Sequence, residues 1–241
     1  MKATPYGPHL VQLTQTFPFP INAFLVREQD GFTLIDTAWG QARAIVAAAQ
    51  ALGAPVRRIA LTHGHADHAG SLEVLHALLP EAEVLVGRRE ARLMRGDRSP
   101  EAGEGQEPVG GKFVPLGFAP SRLLEPGDRV GSLEVIAAPG HSPGQLAFLD
   151  TRDRSLIVGD AFQTQGGVAV AGVVRPLFPL PAWFTWDAEL ALQTARSLRA
   201  LDPSRLAVGH GNTLENPLAA MDAAIAAAER RLGRRLSAAG R

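Results

Sequence analysis

The sequence predicts an α/β protein of layered type. Short apolar runs rich in branched residues alternate with alanine- and leucine-rich stretches of helical length through most of the chain. Glycine or proline stands at most of the junctions between them. The chain has 241 residues, is 46% hydrophobic and lacks cysteine, so a core must form without disulfides or thiolate metal ligands.

The elements follow in order. HLVQL (9–13), NAFLVRE (22–28) and GFTLIDT (31–37) read as strands, with Gly31 in the turn between the last two. GQARAIVAAAQALG (40–53) is an alanine-rich helix closed by Gly53. RRIALT (57–62) is a buried strand, and GSLEVLHALLP (70–80) a helix stopped by Pro80. A strand AEVLVG and a short helix RREARLMRG come next. Residues 96–120 are rich in Gly, Pro and charge and read as a long loop. Strands resume at 133–140, 145–151 and 155–160, and 161–182 is interrupted by Gly and Pro and carries aromatics. A helix over 186–201 has Asp187 in its first turn, RLAVGHG (205–211) is a strand, and an amphipathic helix over 216–236 has Pro217 in its first turn. No linker separates two domains, so residues 1–241 read as one.

Composition narrows the partners. A formal net charge of zero argues against nucleic acid, which needs a basic face. No apolar run reaches the roughly 18 residues of a membrane span, and MKATPYGPHLVQLTQTFPFP lacks the continuous apolar segment of a signal peptide. The expectation is a cytoplasmic protein acting on a small molecule, with the C-terminal helix and the 96–120 loop each available either to a homodimer or to cover the pocket.

The chemistry concentrates in LTHGHADHAG (61–70). It holds His63, His65, Asp67 and His68, although the whole chain has seven histidines. On an extended backbone residues i and i+2 face the same side, so His63 and His65 aim at one point beyond the strand. Asp67 and His68 follow at the start of the next helix. Three further segments repeat the placement: PGHSPG (139–144) with His141, VGDAF (158–162) with Asp160, and VGHG (208–211) with His210. Each candidate ligand sits at the tip of an apolar strand, where α/β proteins build their sites. His76 lies within a helix and His9 opens a strand without a partner, and both read as structural.

Taken together, HGHADH, PGHSPG, GDAF and GHG resemble, in order and spacing, the motifs of the metallo-β-lactamase-fold hydrolases, over about residues 9–212. The resemblance implies a four-layer αββα sandwich, with the site at one edge. It implies one divalent metal held by His63, His65 and His141, a second by Asp67, His68 and His210, and Asp160 bridging them. Asp36, in LIDT, corresponds to an aspartate that supports the metal loop; it also reads as a strand-end turn residue.

Nitrogen and oxygen donors suit zinc first, with manganese or iron also open. The reaction this implies is hydrolysis of an ester, thioester or lactone of a small molecule by a hydroxide shared between two metals, with Asp67 as a proton carrier. A phosphodiesterase on the same metals is the alternative, as is a mononuclear iron oxygenase of the persulfide dioxygenase kind. A metal-free binding protein is a further one. The absence of cysteine excludes the lactamases with a thiolate ligand. The likeness is to the glyoxalase II and lactonase branches in general form. About thirty residues follow His210, fewer than the helical extension of the glyoxalase II branch is expected to need, and the one tyrosine, Tyr6, lies far from every motif. Phe17, Phe19, Phe162, Phe178, Trp183 and Phe184 are expected to line the substrate pocket, although such residues also fill cores.

Overall fold

A computed structural model describes residues 1–239, with side chains through Arg234; Gly240 and Arg241, the end of the expected 1–241 domain, lie outside the described residues. The first half of the chain forms β1 (Lys2–Tyr6), β2 (Leu10–Gln15), β3 (Ile21–Arg27), β4 (Phe32–Ile35), α1 (Ala42–Ala51), β5 (Val56–Ala60), α2 (Ala66–Ala69), α3 (Leu72–Leu78), β6 (Glu83–Gly87), α4 (Arg88–Met94) and β7 (Arg122–Leu124). The second half forms β8 (Arg129–Val130), β9 (Leu133–Ala137), β10 (Leu146–Asp150), β11 (Ser155–Ile157), β12 (Phe162–Gln163), β13 (Ala169–Val170), α5 (Leu180–Trp183), α6 (Ala188–Ala200), β14 (Arg205–Ala207), β15 (Leu214–Glu215) and α7 (Leu218–Ala239).

Each half makes its own sheet. The first has strand order β1-β2-β3-β4-β5-β6-β7, the second β15-β14-β11-β10-β9-β8, and β12-β13 form a separate ribbon. The layering follows from the alternation of side chains along each strand. Leu25, Leu34 and Ile59 point outward to meet Ile45 of α1, Leu75 of α3 and Ala91 of α4. Their neighbours Phe24, Val26, Ile35 and Ala60 point inward and meet Val135, Phe148, Ile157 and Ala207 of the second sheet. On that sheet's far face, Leu149, Leu156 and Leu206 pack against Leu198 of α6 and Met221 and Ile225 of α7. The strands are therefore apolar on both faces, and the layers are helix, sheet, sheet and helix. Each of the buried Val, Leu, Ile, Phe and Met side chains among these stabilises the sandwich by roughly 1.5–3 kcal/mol.

The elements differ from the sequence expectation at their ends. Asp187 stands just outside α6 as its cap, with its carboxylate accepting the Glu189 and Leu190 N–H groups, each at 2.9 Å. Pro217 likewise precedes α7, and its carbonyl accepts the Met221 N–H at 2.9 Å. The strand expected over 57–62 leaves the sheet after Ala60, and its continuation bonds across to the other sheet, where the Leu146 N–H donates to the Thr62 carbonyl at 2.8 Å. That crossing brings the histidines to the seam between the sheets.

Candidate metal centre

All candidate ligands collect at this seam. His63 and His65 lie on the extended segment after β5, and Asp67 and His68 on the single turn of α2. His141 follows β9, Asp160 follows β11, and His210 follows β14. Three groups have ligand atoms within 4.8 Å of one another: His63–His65–His141, His63–His68–Asp160 and Asp67–His68–His210. His65 Nδ1 is 3.1 Å from His141 Nε2, and His210 Nε2 is 3.2 Å from Asp67 Oδ2. Asp160 lies between the outer two groups, 3.5 Å from His141 Nε2, 3.4 Å from His68 Nε2 and 3.3 Å from His210 Nε2.

The outward nitrogens set the tautomers. Asp36 Oδ2 accepts from His68 Nδ1 at 2.9 Å, and the Pro20 carbonyl accepts from His210 Nδ1 at 2.7 Å. The Thr185 hydroxyl already donates to the Pro181 carbonyl at 2.7 Å, so it accepts from His141 Nδ1 at 3.3 Å. The Thr62 hydroxyl donates to Asp36 Oδ2 at 2.7 Å and accepts from His63 Nδ1 at 3.1 Å. In each case the proton sits on Nδ1, and in the neutral ring the Nε2 lone pair faces inward. His65 is reversed: Nδ1 faces His141, and Nε2 lies beneath the 109–114 strap.

Buried polar atoms are normally paired, and an orphan costs about 1–3 kcal/mol. Here His63 Nε2, His68 Nε2 and Asp160 Oδ1 are buried and make no hydrogen bond. Gly209 approaches so closely that a Cβ there would fall 2.3 Å from Asp160 Oδ1 and 2.5 Å from the His68 ring. Inward lone pairs with no donor, around a cradle that a methyl group would fill, fit divalent cations of borderline hardness.

The charges agree. Burial, then the neighbouring histidines, hold His63 well below the ordinary histidine value; burial and His141 push His65 down to about 3. These rings are neutral, as ligation requires. Burial also opposes charge on His210 and His68, but Asp160 and Asp67 outweigh it, raising His210 to about 10 and His68 well above its usual value. The same contacts, against burial, lower both carboxylates. A dication can take the place of those protons.

Asp36 anchors this arrangement. It occupies the left-handed region at φ 60°, and its Oδ1 also accepts the Thr62 N–H at 2.7 Å. Two further supports give little sequence signal. Asn22 donates to the Val208 and Gly211 carbonyls at 2.8 and 2.6 Å and so fixes the His210 turn; its one clue is an amide within an apolar strand. Glu90 is fully buried, and its carboxylate accepts the Gly64 N–H at 2.8 Å, the Gly144 N–H at 3.1 Å and the Ser142 hydroxyl. It ties the His63–His65 loop to the His141 loop. In the run RREARLMR an acidic residue reads as a solvated helix position, so nothing local announces it.

A cavity of about 270 Å³ opens on Asp67, His65, His141, Asp160 and His210. Phe19, Trp39, Leu180, Pro181 and Phe184 wall it, and Lys112 stands on it. Of the six expected aromatics, the wall thus contains Phe19 and Phe184. Phe178 stands behind it, with its ring centroid 5.1 Å from His210. Phe162 does not reach it, because it is fully buried in the core of the second sheet. Phe17 and Trp183 are not part of the wall, and are 82% and 66% exposed. His76 stacks on Phe118 at 3.9 Å, outside the site.

An αββα sandwich with histidines and aspartates gathered at one edge defines a class of metal-binding proteins that are typically hydrolases. The family model of the metallo-beta-lactamase superfamily matches residues 16–210, and the chain belongs to that superfamily. It is 44% identical over 214 residues to the uncharacterized protein YobT of Bacillus subtilis (strain 168), covering 88% of this chain and 92% of that one. It is 30% identical over 210 residues to the probable metallo-hydrolase YflN of the same organism, covering 78% of each. Among solved structures, TTHA1623 in a di-iron-bound form superposes with a TM-score of 0.65 at 28% identity, covering 87% of this chain and 96% of that one. Among the described residues no helix is long and apolar enough to cross a membrane.

Proposed function

We propose that the chain is a dinuclear metallohydrolase that cleaves an ester, thioester or lactone bond of a small molecule. The observation that carries this is the set of inward Nε2 atoms of His63, His68, His141 and His210, each with its Nδ1 already committed to an acceptor. His63, His65 and His141 would hold one ion, Asp67, His68 and His210 the other, with Asp160 between. When bound, the pair supplies a water acidified toward neutrality and a Lewis acid for the scissile carbonyl.

The protein's own residues do the rest. Thr62, Asp36, Thr185 and Pro20 hold the imidazoles in one tautomer and orientation. The Phe19–Leu180–Phe184 wall excludes bulk water and packs the apolar part of the substrate. Asp67 is the candidate proton carrier: its side chain is 26% exposed, more than any other carboxylate of the cluster, and an oxygen not engaged by the ion could pass a proton to the leaving group. Zero net charge and a cavity of about 270 Å³ support a small molecule over nucleic acid. The di-iron form of TTHA1623 supports two ions and makes iron a candidate beside zinc and manganese.

Elemental mass spectrometry on protein purified without chelator or added metal is the first test. About two equivalents of metal with turnover of acyl esters supports the reading. About one equivalent of iron with oxygen uptake replaces it with the oxygenase, and turnover of bis-phosphate esters alone replaces it with the phosphodiesterase.

A further inference from the structure

The chain meets nearly all its needs for positive charge with arginine. Of 24 basic residues, Lys2 and Lys112 are the lysines. Arg58, Arg88, Arg89, Arg92, Arg152, Arg196, Arg199 and Arg205 each pair with a carboxylate. Lys112 has no such partner among the described residues, and of the lysines and arginines it is the one that lines the cavity.

Its backbone is held in place. The Lys112 carbonyl accepts the Ala66 N–H at 3.0 Å, and the Val114 N–H donates to the Gly64 carbonyl at 2.9 Å. Phe113 bridges to His65 between them. Gly111, at φ 81°, lies so close over His65 that a Cβ would fall 2.1 Å from Nε2. The strap is thus stitched to the segment that carries four of the candidate ligands, His63, His65, Asp67 and His68, and this holds the Lys112 backbone beside the cavity that Lys112 lines. The same cavity has apolar lining from Phe19, Trp39, Leu180 and Phe184.

We infer that Lys112 selects the substrate class: acyl compounds that combine an apolar segment with an anionic group, which the ammonium receives as the reacting carbonyl enters the metal centre. The inference rests on the hydrolase reading above for its turnover and on the cavity geometry for its charge preference. A compact, strongly hydrated ammonium on a flexible stem suits a carboxylate or phosphate that arrives with the substrate and leaves with the product.

The test compares mono-para-nitrophenyl glutarate with its neutral counterpart para-nitrophenyl pentanoate, and a phosphate-bearing ester in a third arm. The readout is the ratio of kcat/KM for the anionic substrates over the neutral one. The wild-type ratio exceeds one and falls with added salt. Lys112→Ala lowers it by about fivefold, the upper range of a solvent-exposed ion pair, and Lys112→Glu brings it below one. Loss of the ratio in the carboxylate arm alone, or in the phosphate arm alone, identifies which anion is read. Turnover with the same ratio in all variants overturns the inference and leaves the hydrolase reading standing. Absence of turnover on every ester overturns the hydrolase reading instead. Calorimetric binding of octanoate against octanol to the full chain, with metal as purified, then decides the charge preference. A lower octanoate preference in Lys112→Glu supports it, and an equal one overturns it.

Discussion

Replacing Glu90 with glutamine tests whether the two histidine loops depend on one buried carboxylate. The carboxylate serves three donors, the Gly64 N–H on one oxygen and the Gly144 N–H and Ser142 hydroxyl on the other. A glutamine has one carbonyl oxygen, so in either orientation its amide nitrogen faces a backbone N–H that loses its acceptor. One orphaned buried donor costs about 1–3 kcal/mol. At this chain length that lowers Tm by about 2–12 °C, measured by calorimetry on chelated protein. The pH dependence sharpens the test. Burial, partly offset by the three hydrogen bonds, pushes the Glu90 carboxyl up from 4.5 to about 7. Between those values the folded chain keeps a proton that the unfolded chain has lost, so this group's contribution to stability falls as pH rises from about 4.5 to about 7. The variant lacks that term. Its deficit is therefore largest below about pH 4.5 and shrinks by up to ~3 kcal/mol as pH rises to about 8, at about 1.4 kcal/mol per pKa unit. Other titrating groups cancel in the difference between the two proteins. A deficit that is absent at low pH, or that grows with pH, refutes the argument.

Other perturbations separate roles that lie close together in space. Gly209→Ala puts a methyl group into the cradle, so metal bound per chain falls well below the wild-type content in elemental analysis; unchanged metal content would show that the cradle yields. Thr185→Val removes the acceptor for His141 Nδ1 and weakens metal affinity about 10- to 100-fold in a competition titration with a chromogenic chelator. Phe162→Ala destabilises by about 3–5 kcal/mol in denaturant unfolding with KM little altered, whereas Phe184→Ala raises KM for long-acyl esters with little change in stability. The reverse assignment would place Phe162 on the cavity and Phe184 in the core.

The motifs were legible because each is local. His63 to His68 fall within one strand end and one helical turn, so period and spacing suffice to aim them together. His141, Asp160 and His210 could be read because each terminates a strand with two apolar faces. The cavity wall was not legible, since exposure decides it and exposure is a tertiary quantity. Phe162 and Phe184 look alike in sequence, yet one is sealed under α6 and the other faces the cavity. Trp39 and Lys112 reach the wall from a turn after β4 and from a long loop, and no periodicity points to either. Glu90 is hidden for the opposite reason: a charged side chain on a basic helix carries the pattern of a solvated face, and its burial arises when two distant loops close over it. Edge strands such as β1 and β15 were missed because they are short or exposed and lack the apolar alternation.

The division of the ligands between the two sheets has a mechanical corollary. His63, His65, Asp67 and His68 belong to the stretch of chain that ends with β7, while His141, Asp160 and His210 belong to the stretch that begins with β8. An ion held by both sets is a rivet through two separately woven panels. Its occupancy then gauges how firmly the panels are joined, by the same linkage through which any ligand of the folded state adds to stability. A chain cut in the 125–128 turn makes the point physical: the two pieces should reassemble more tightly as metal is added, and a substitution in the inter-sheet core should register as a change in metal affinity far from any ligand.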